Sequence, residues 1–165
     1  MKYAVICFTE RGAWVCRRLF HKLKETGEEC EAIIPKRFLR EEWKKEGLKE
    51  REEEFLSQWT GKMFAEKRAM IFVSATGIAV RAIAPWIRDK MTDPPVVTVD
   101  EGAQFVIPLL SGHVGGANEL ARHIADWLEA VPVITTATDV NGKFAVDLFA
   151  SAYHMTIIDR KEAKN

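Results

Sequence analysis

Ser111-Gly112-His113-Val114-Gly115-Gly116-Ala117-Asn118 is the stretch of this 165-residue chain where residue type and spacing come closest to chemistry. Glycines let a backbone approach a ligand, and the apolar residues Leu120, Ala121, Ile124, Ala125 and Leu128 predict a helix directly behind them. A helix start offers unpaired N–H groups and the positive end of a dipole, so the loop reads as a seat for an anion. The pattern is neither GxxxxGK[ST] nor GxGxxG, which leaves carboxylates or a developing oxyanion as natural guests, steadied by N–H groups around Gly115 and Gly116. The competing reading is a tight turn that only caps the helix. Imidazole titrates near neutral pH, so His113 is a candidate general base. Ser111 invites a Ser-His nucleophile, although neighbours at i and i+2 in a loop seldom have triad geometry and GxSxG is absent. Gly112 and Asn118 join the loop as substrate-binding candidates.

Asp100-Glu101, after the apolar run Val96 to Val99, could assist His113 or transfer a proton; a turn before Gly102 is the alternative. Thr135, Thr136 and Asp139, in Thr135-Thr-Ala-Thr-Asp139, could hydrogen-bond carboxylates, or be β-branched strand residues before a turn at Asn141-Gly142. Thr76 and Gly77 offer a hydroxyl and an approachable backbone after the run Ala69 to Val73. Arg81 and Lys90 are possible carboxylate partners or ordinary solvated cations. Cys7, Cys16 and Cys30 show neither CxxC nor Cys/His spacing, so no metal site is expected and free, buried thiols are.

These residues need elements to hold them. Lys2 to Phe8 reads as a strand, followed by a helix whose apolar positions Trp14, Val15, Leu19 and Leu23 run up to Gly27. Cys30 to Ile34 is a second strand, and Phe38 to Lys67 reads as one long, charged, largely exposed helical stretch. Ala69 to Val73 is a strand, Ile78 to Trp86 a helix broken near Pro85, and Val96 to Val99, Gln104 to Leu110 and Val131 to Ile134 are further strands. Such alternation predicts an α/β fold, a mostly parallel sheet with helices on both faces in a three-layer sandwich. In such sheets ligand loops lie at the carboxyl ends of strands. Thr9 to Gly12, Ser74 to Gly77, Ser111 to Gly116 and Thr135 to Asp139 are therefore expected to form one site.

Twenty-four Lys and Arg balance twenty-four Asp and Glu, which removes the electrostatic pull that nucleic acid or an anionic membrane rewards. No run approaches the roughly 18 apolar residues of a membrane span, and a cytoplasmic single domain over residues 1–165 is expected. Five tryptophans and an apolar start leave room for a homodimer.

Four segments in order, Phe72-Val-Ser-Ala-Thr-Gly-Ile-Ala-Val-Arg81, Asp93-Pro-Pro-Val96 with Val99-Asp-Glu101, Leu109-Leu-Ser-Gly-His-Val-Gly-Gly-Ala-Asn-Glu-Leu120 and Ile134-Thr-Thr-Ala-Thr-Asp139, resemble the amino-terminal region of the CbiG family. The resemblance is strong from about residue 72 to 150. It implies a cobalt-precorrin-5A hydrolase of the anaerobic cobalamin pathway, which opens the ring-A lactone and releases acetaldehyde. It implies no organic cofactor, since the cobalt belongs to the substrate, a corrinoid whose acetate and propionate carboxylates suit hydroxyl-rich loops. Family members generally continue into a carboxyl-terminal domain, so the chain is expected to be the amino-terminal part of such an enzyme. On this reading His113 activates water, Asp100 or Glu101 assists, and Thr76, Gly77, Arg81, Gly112, Asn118, Thr135, Thr136 and Asp139 bind substrate. A non-catalytic module holding a corrinoid or another polycarboxylate is the alternative.

Overall fold

A computed structural model describes residues 1–51 and 56–137. Strand β1 (Lys2–Cys7) leads into helix α1 (Glu10–Glu25), whose first turn is capped by the Thr9 hydroxyl accepting from the Gly12 N–H at 3.0 Å. Strand β2 (Glu29–Ile34) follows, then a 3-10 turn (Lys36–Phe38) and a short helix α2 (Glu41–Glu46). A two-residue strand β3 (Lys49–Glu50) precedes helix α3 (Leu56–Ala65). Strand β4 (Ala69–Val73) and helix α4 (Thr76–Ile83) form the next unit, and a 3-10 turn over Ala84–Trp86 ends the helix at Pro85, as expected. Strands β5 (Val96–Val99) and β6 (Phe105–Leu110), helix α5 (Ala117–Leu128) and the short strand β7 (Val131–Pro132) complete the described chain.

The sheet has seven strands in the order β3-β2-β1-β4-β5-β6-β7. Every neighbouring pair is parallel except β5 and β6, which run antiparallel with Val99 opposite Val106 and Val96 opposite Leu110. Side chains alternate across the pleat. Val5, Ala32, Ile71, Val73, Val97 and Val99 pack under α1 and α5, whereas Ala4, Ile6, Ile33, Met70, Phe72 and Val96 pack under α3 and α4. The sheet is thus buried on both faces, and the expected three-layer sandwich is the observed architecture.

One expectation fails within this frame. The stretch 38–67 is not a continuous helix. Gly47 takes the left-handed conformation (φ 105°) and closes α2, after which Lys49 and Glu50 pair with Ile33 and Ile34. The helical stripe Trp59, Met63 and Phe64 belongs to α3 alone, where it packs on Phe72 and its neighbours. The three cysteines are free and buried, and burial pushes the Cys30 thiol up to about 12. Among the described residues no helix is long and apolar enough to cross a membrane.

Candidate functional site

The sheet presents two rims. At the carboxyl rim the parallel strands β1, β2, β4 and β5 end; at the amino rim they begin. Because β6 runs backwards, its end and that of β7 lie at the amino rim.

The glycine loop therefore sits at the amino rim, packed against the segment that enters β5. Ser111 is buried, and its hydroxyl donates to the Asp93 carbonyl at 2.8 Å, so it clasps the loop to that segment. The Asp93 carboxylate is occupied in turn, accepting from the N–H groups of Arg88 (2.8 Å) and Asp89 (3.1 Å). Across the loop, the buried Asn118 amide donates to the Thr136 hydroxyl at 2.6 Å, tying the first turn of α5 to the chain after β7. A β-carbon at Gly112 would stand 2.7 Å from Asn118 Oδ1, and one at Gly115 would stand 2.4 Å from Ser111 Cβ. Both glycines are required by packing of the loop on itself.

The backbone donors are partly spent as well. The Gly116 N–H, expected to steady an oxyanion, donates to the His113 carbonyl at 3.1 Å, while those of Ala117 and Asn118 donate to Ser111 and Gly112. His113 stands half-buried in this loop, and Thr135 is exposed beside the half-buried Thr136. Asp139 lies outside the described residues.

Asp100 and Glu101 are at the opposite end, in the turn joining β5 to β6. Asp100 organises that turn: its Oδ2 accepts from the Gly102 N–H (2.9 Å), and its Oδ1 accepts from those of Gln104 (2.8 Å) and Phe105 (2.6 Å). Six residues of β6 at about 3.3 Å each put roughly 16 Å or more between this turn and His113, so neither carboxylate assists that imidazole. Thr76, Gly77 and Arg81 share the carboxyl rim with Thr9 and Gly12, and the Arg81 guanidinium folds back to donate to the Gly77 carbonyl at 3.1 Å. The four loops thus divide two and two, which corrects the expectation of a single site.

A signal in the sequence could have found this division. Only residues 100–104 separate β5 from β6, and a parallel crossover needs a dozen or more residues, so the connection had to be a hairpin. The sequence reading also passed over a group on the carboxyl rim: Arg40 lies 4.5 Å from the Trp14 ring centroid and 5.2 Å from that of Trp43, and the two indoles meet edge to face at 4.8 Å. That stack joins α1 to the segment after β2 through tertiary packing, which no local spacing encodes. A cavity of about 190 Å³ at the β2–β3 edge, lined by Ile33, Leu56 and Trp59, coincides with neither polar loop cluster. Among the described residues no three His, Cys, Asp or Glu side chains gather as a ligand set.

A doubly covered, mostly parallel sheet defines an α/β domain, here with polar turns at both rims. Residues 58–139 match the family described as Cobalamin synthesis G N-terminal. The chain is 42% identical over 160 residues to a cobalt-precorrin-5A hydrolase of Salmonella typhimurium, covering 97% of this chain and 42% of that protein. It is 48% identical over 91 residues to the cobalt-precorrin-5A hydrolase of Priestia megaterium, covering 55% of this chain and 24% of that one. The crystal structure of a cobalamin biosynthesis protein G homolog from Sulfolobus solfataricus shares the fold, with a TM-score of 0.56 and 23% identity over 99% of this chain and 43% of that one. The chain belongs to the CbiG family, within its amino-terminal region. It spans less than half the length of these curated relatives.

Proposed function

We propose that the chain is the amino-terminal part of a cytoplasmic cobalt-precorrin-5A hydrolase of cobalamin biosynthesis, working with a carboxyl-terminal domain. The observation that carries this reading is the 42% identity to the Salmonella typhimurium hydrolase, which runs over 97% of the chain rather than over a few motifs. The substrate is a corrinoid that brings its own cobalt, and the protein needs no organic cofactor.

The chemistry proposed for the amino rim is general-base hydrolysis. His113 takes a proton from water as the water oxygen attacks the lactone carbonyl, and the Gly115 N–H holds the oxyanion that develops. Collapse breaks the ring C–O bond, leaving a carboxylic acid, which ionises, and an alkoxide that regains the proton from His113; loss of that hydroxyl proton then breaks the carbon–carbon bond, acetaldehyde leaving as the electron pair passes to the macrocycle. Asn118, Gly112, Thr135 and Thr136 shape the floor of this site, while Ser111 anchors it and Asp100 and Glu101 take no part. A carboxyl-terminal domain closing over the loop would exclude water from the reacting group and hold it in line.

Replacing His113 with Ala in an enzyme that carries both parts is expected to lower acetaldehyde release by ~10²-fold or more. Release at the unsubstituted rate removes His113 from the mechanism. The 165-residue chain alone, given the same substrate, reports whether the amino-terminal part binds without turning over.

A further inference from the structure

The carboxyl rim holds guanidinium groups that no carboxylate of the described residues pairs with. Arg37 and Arg40 follow β2, Arg11 opens α1 after β1, and Arg81 lies one turn into α4 after β4; all four are exposed. None of them pairs with a carboxylate among the described residues. Aromatic faces hold two of them instead: Arg40 lies over the edge-to-face pair of Trp14 and Trp43, 4.5 Å and 5.2 Å from their ring centroids, and Arg37 lies 4.6 Å from the Phe38 ring centroid. Stacking fixes the plane of a guanidinium without using its N–H donors, so the fork stays free and pre-oriented for a carboxylate. Trp14 sits beside it, nearly half exposed at 46%.

None of the acidic groups nearby is ion-paired with these arginines among the described residues. The Asp100 carboxylate is engaged by three backbone N–H groups, Glu50 faces Lys36 (3.5 Å) and Lys44 (3.9 Å), and Glu46 is held by Arg17 and His21. Glu10, Glu42 and Glu101 remain near the four arginines, and among the described residues none of them is ion-paired with one. The strand order places β2, β1 and β4 side by side at about 4.8 Å spacing, with α1 on one face and α4 on the other. Between β1 and β4 the chain switches from building outward on one side to building on the other. Open α/β sheets leave their crevice at such a switch.

We infer that this rim is a second anion-binding surface, separate from the His113 loop, which takes the carboxylates of a planar polycarboxylate against Arg11, Arg40 and Arg81 with Trp14 as the apolar contact. The choice of a polycarboxylate rests on the corrinoid reading above, since the macrocycle is broad, apolar and ringed by carboxylates.

The test titrates the whole chain with benzenehexacarboxylate, which is planar and anionic but is neither a corrinoid nor a cobalt complex, and with cobyrinic acid. Binding is followed by calorimetry and by tryptophan fluorescence, with thermal melts to show that each variant folds. Arg11→Gln and Arg40→Gln are each expected to weaken both ligands about tenfold or more, and Lys22→Gln, in the last turn of α1, to leave them unchanged. Added salt is expected to weaken the unsubstituted chain more than either arginine variant. Absence of binding by the unsubstituted chain, or affinity in Arg11→Gln and Arg40→Gln equal to that of the unsubstituted chain, overturns the inference. If benzenehexacarboxylate binds in the arginine-dependent way and cobyrinic acid does not, the rim site stands and the corrinoid reading falls. Should cobyrinic acid bind with both arginine variants matching the parent, the corrinoid reading stands and the rim site falls.

Discussion

Glu46 shows how one carboxylate can join elements that are far apart in sequence. It accepts from Arg17 Nε at 2.7 Å and Nη2 at 2.8 Å, and it meets His21 Nε2 at 2.9 Å, so α2 is tied to α1. The paired guanidinium, helped by the imidazole, holds the Glu46 carboxyl at about 2 instead of its ordinary 4.5. A carboxyl lowered on folding adds stability that is complete above pH 4.5 and is lost as pH falls through about 2. Thermal melts across that interval are expected to show a shallower acid-side decline in Glu46→Gln than in the parent; identical slopes would show that the pair contributes nothing on folding. Residue types in the glycine loop were visible in the sequence, but their duties were not. Whether Ser111 attacks a substrate or clasps Asp93 depends on which backbone stands opposite, and that is set by the fold.

Among the elements, the β5–β6 hairpin governs where everything after it goes. Its turn depends on Asp100, whose carboxylate replaces backbone acceptors for three N–H groups. Asp100→Ala is expected to lower unfolding stability by roughly 1–2 kcal/mol, read as a shift of the urea midpoint at unchanged slope. No shift would mean that water serves those donors equally well. Strand and helix positions from 1 to 34 and from 69 to 132 were legible because apolar runs and helical spacing report burial directly. Direction is a different matter, for an apolar run is the same pattern read up or down a sheet; only the short connection carried it. The stretch 38–67 misled because its many charges conceal a break at Gly47, a position whose left-handed backbone excludes most other residues.

Taken whole, the described chain is a sheet with polar turns at both of its ends. The resemblance to a hydrolase family was legible in four short motifs, and sequence similarity to the Salmonella typhimurium protein extends well beyond them, over 160 residues. What the motifs could not reveal was that the first and the last two lead to opposite rims, with the second running from one to the other, since sequence order fixes neighbours along the chain and not across a reversed strand. Asp100 and Ser111 are eleven positions apart, yet β6 carries the chain from one end of the sheet to the other between them. Sites so separated perturb folding independently. Asp100→Ala and Ser111→Ala are therefore expected to combine additively, within about 0.5 kcal/mol, in equilibrium unfolding. A strand that doubles back works as a spacer: it lets evolution retune either end of the domain while the other hardly notices, although the two ends are encoded almost side by side.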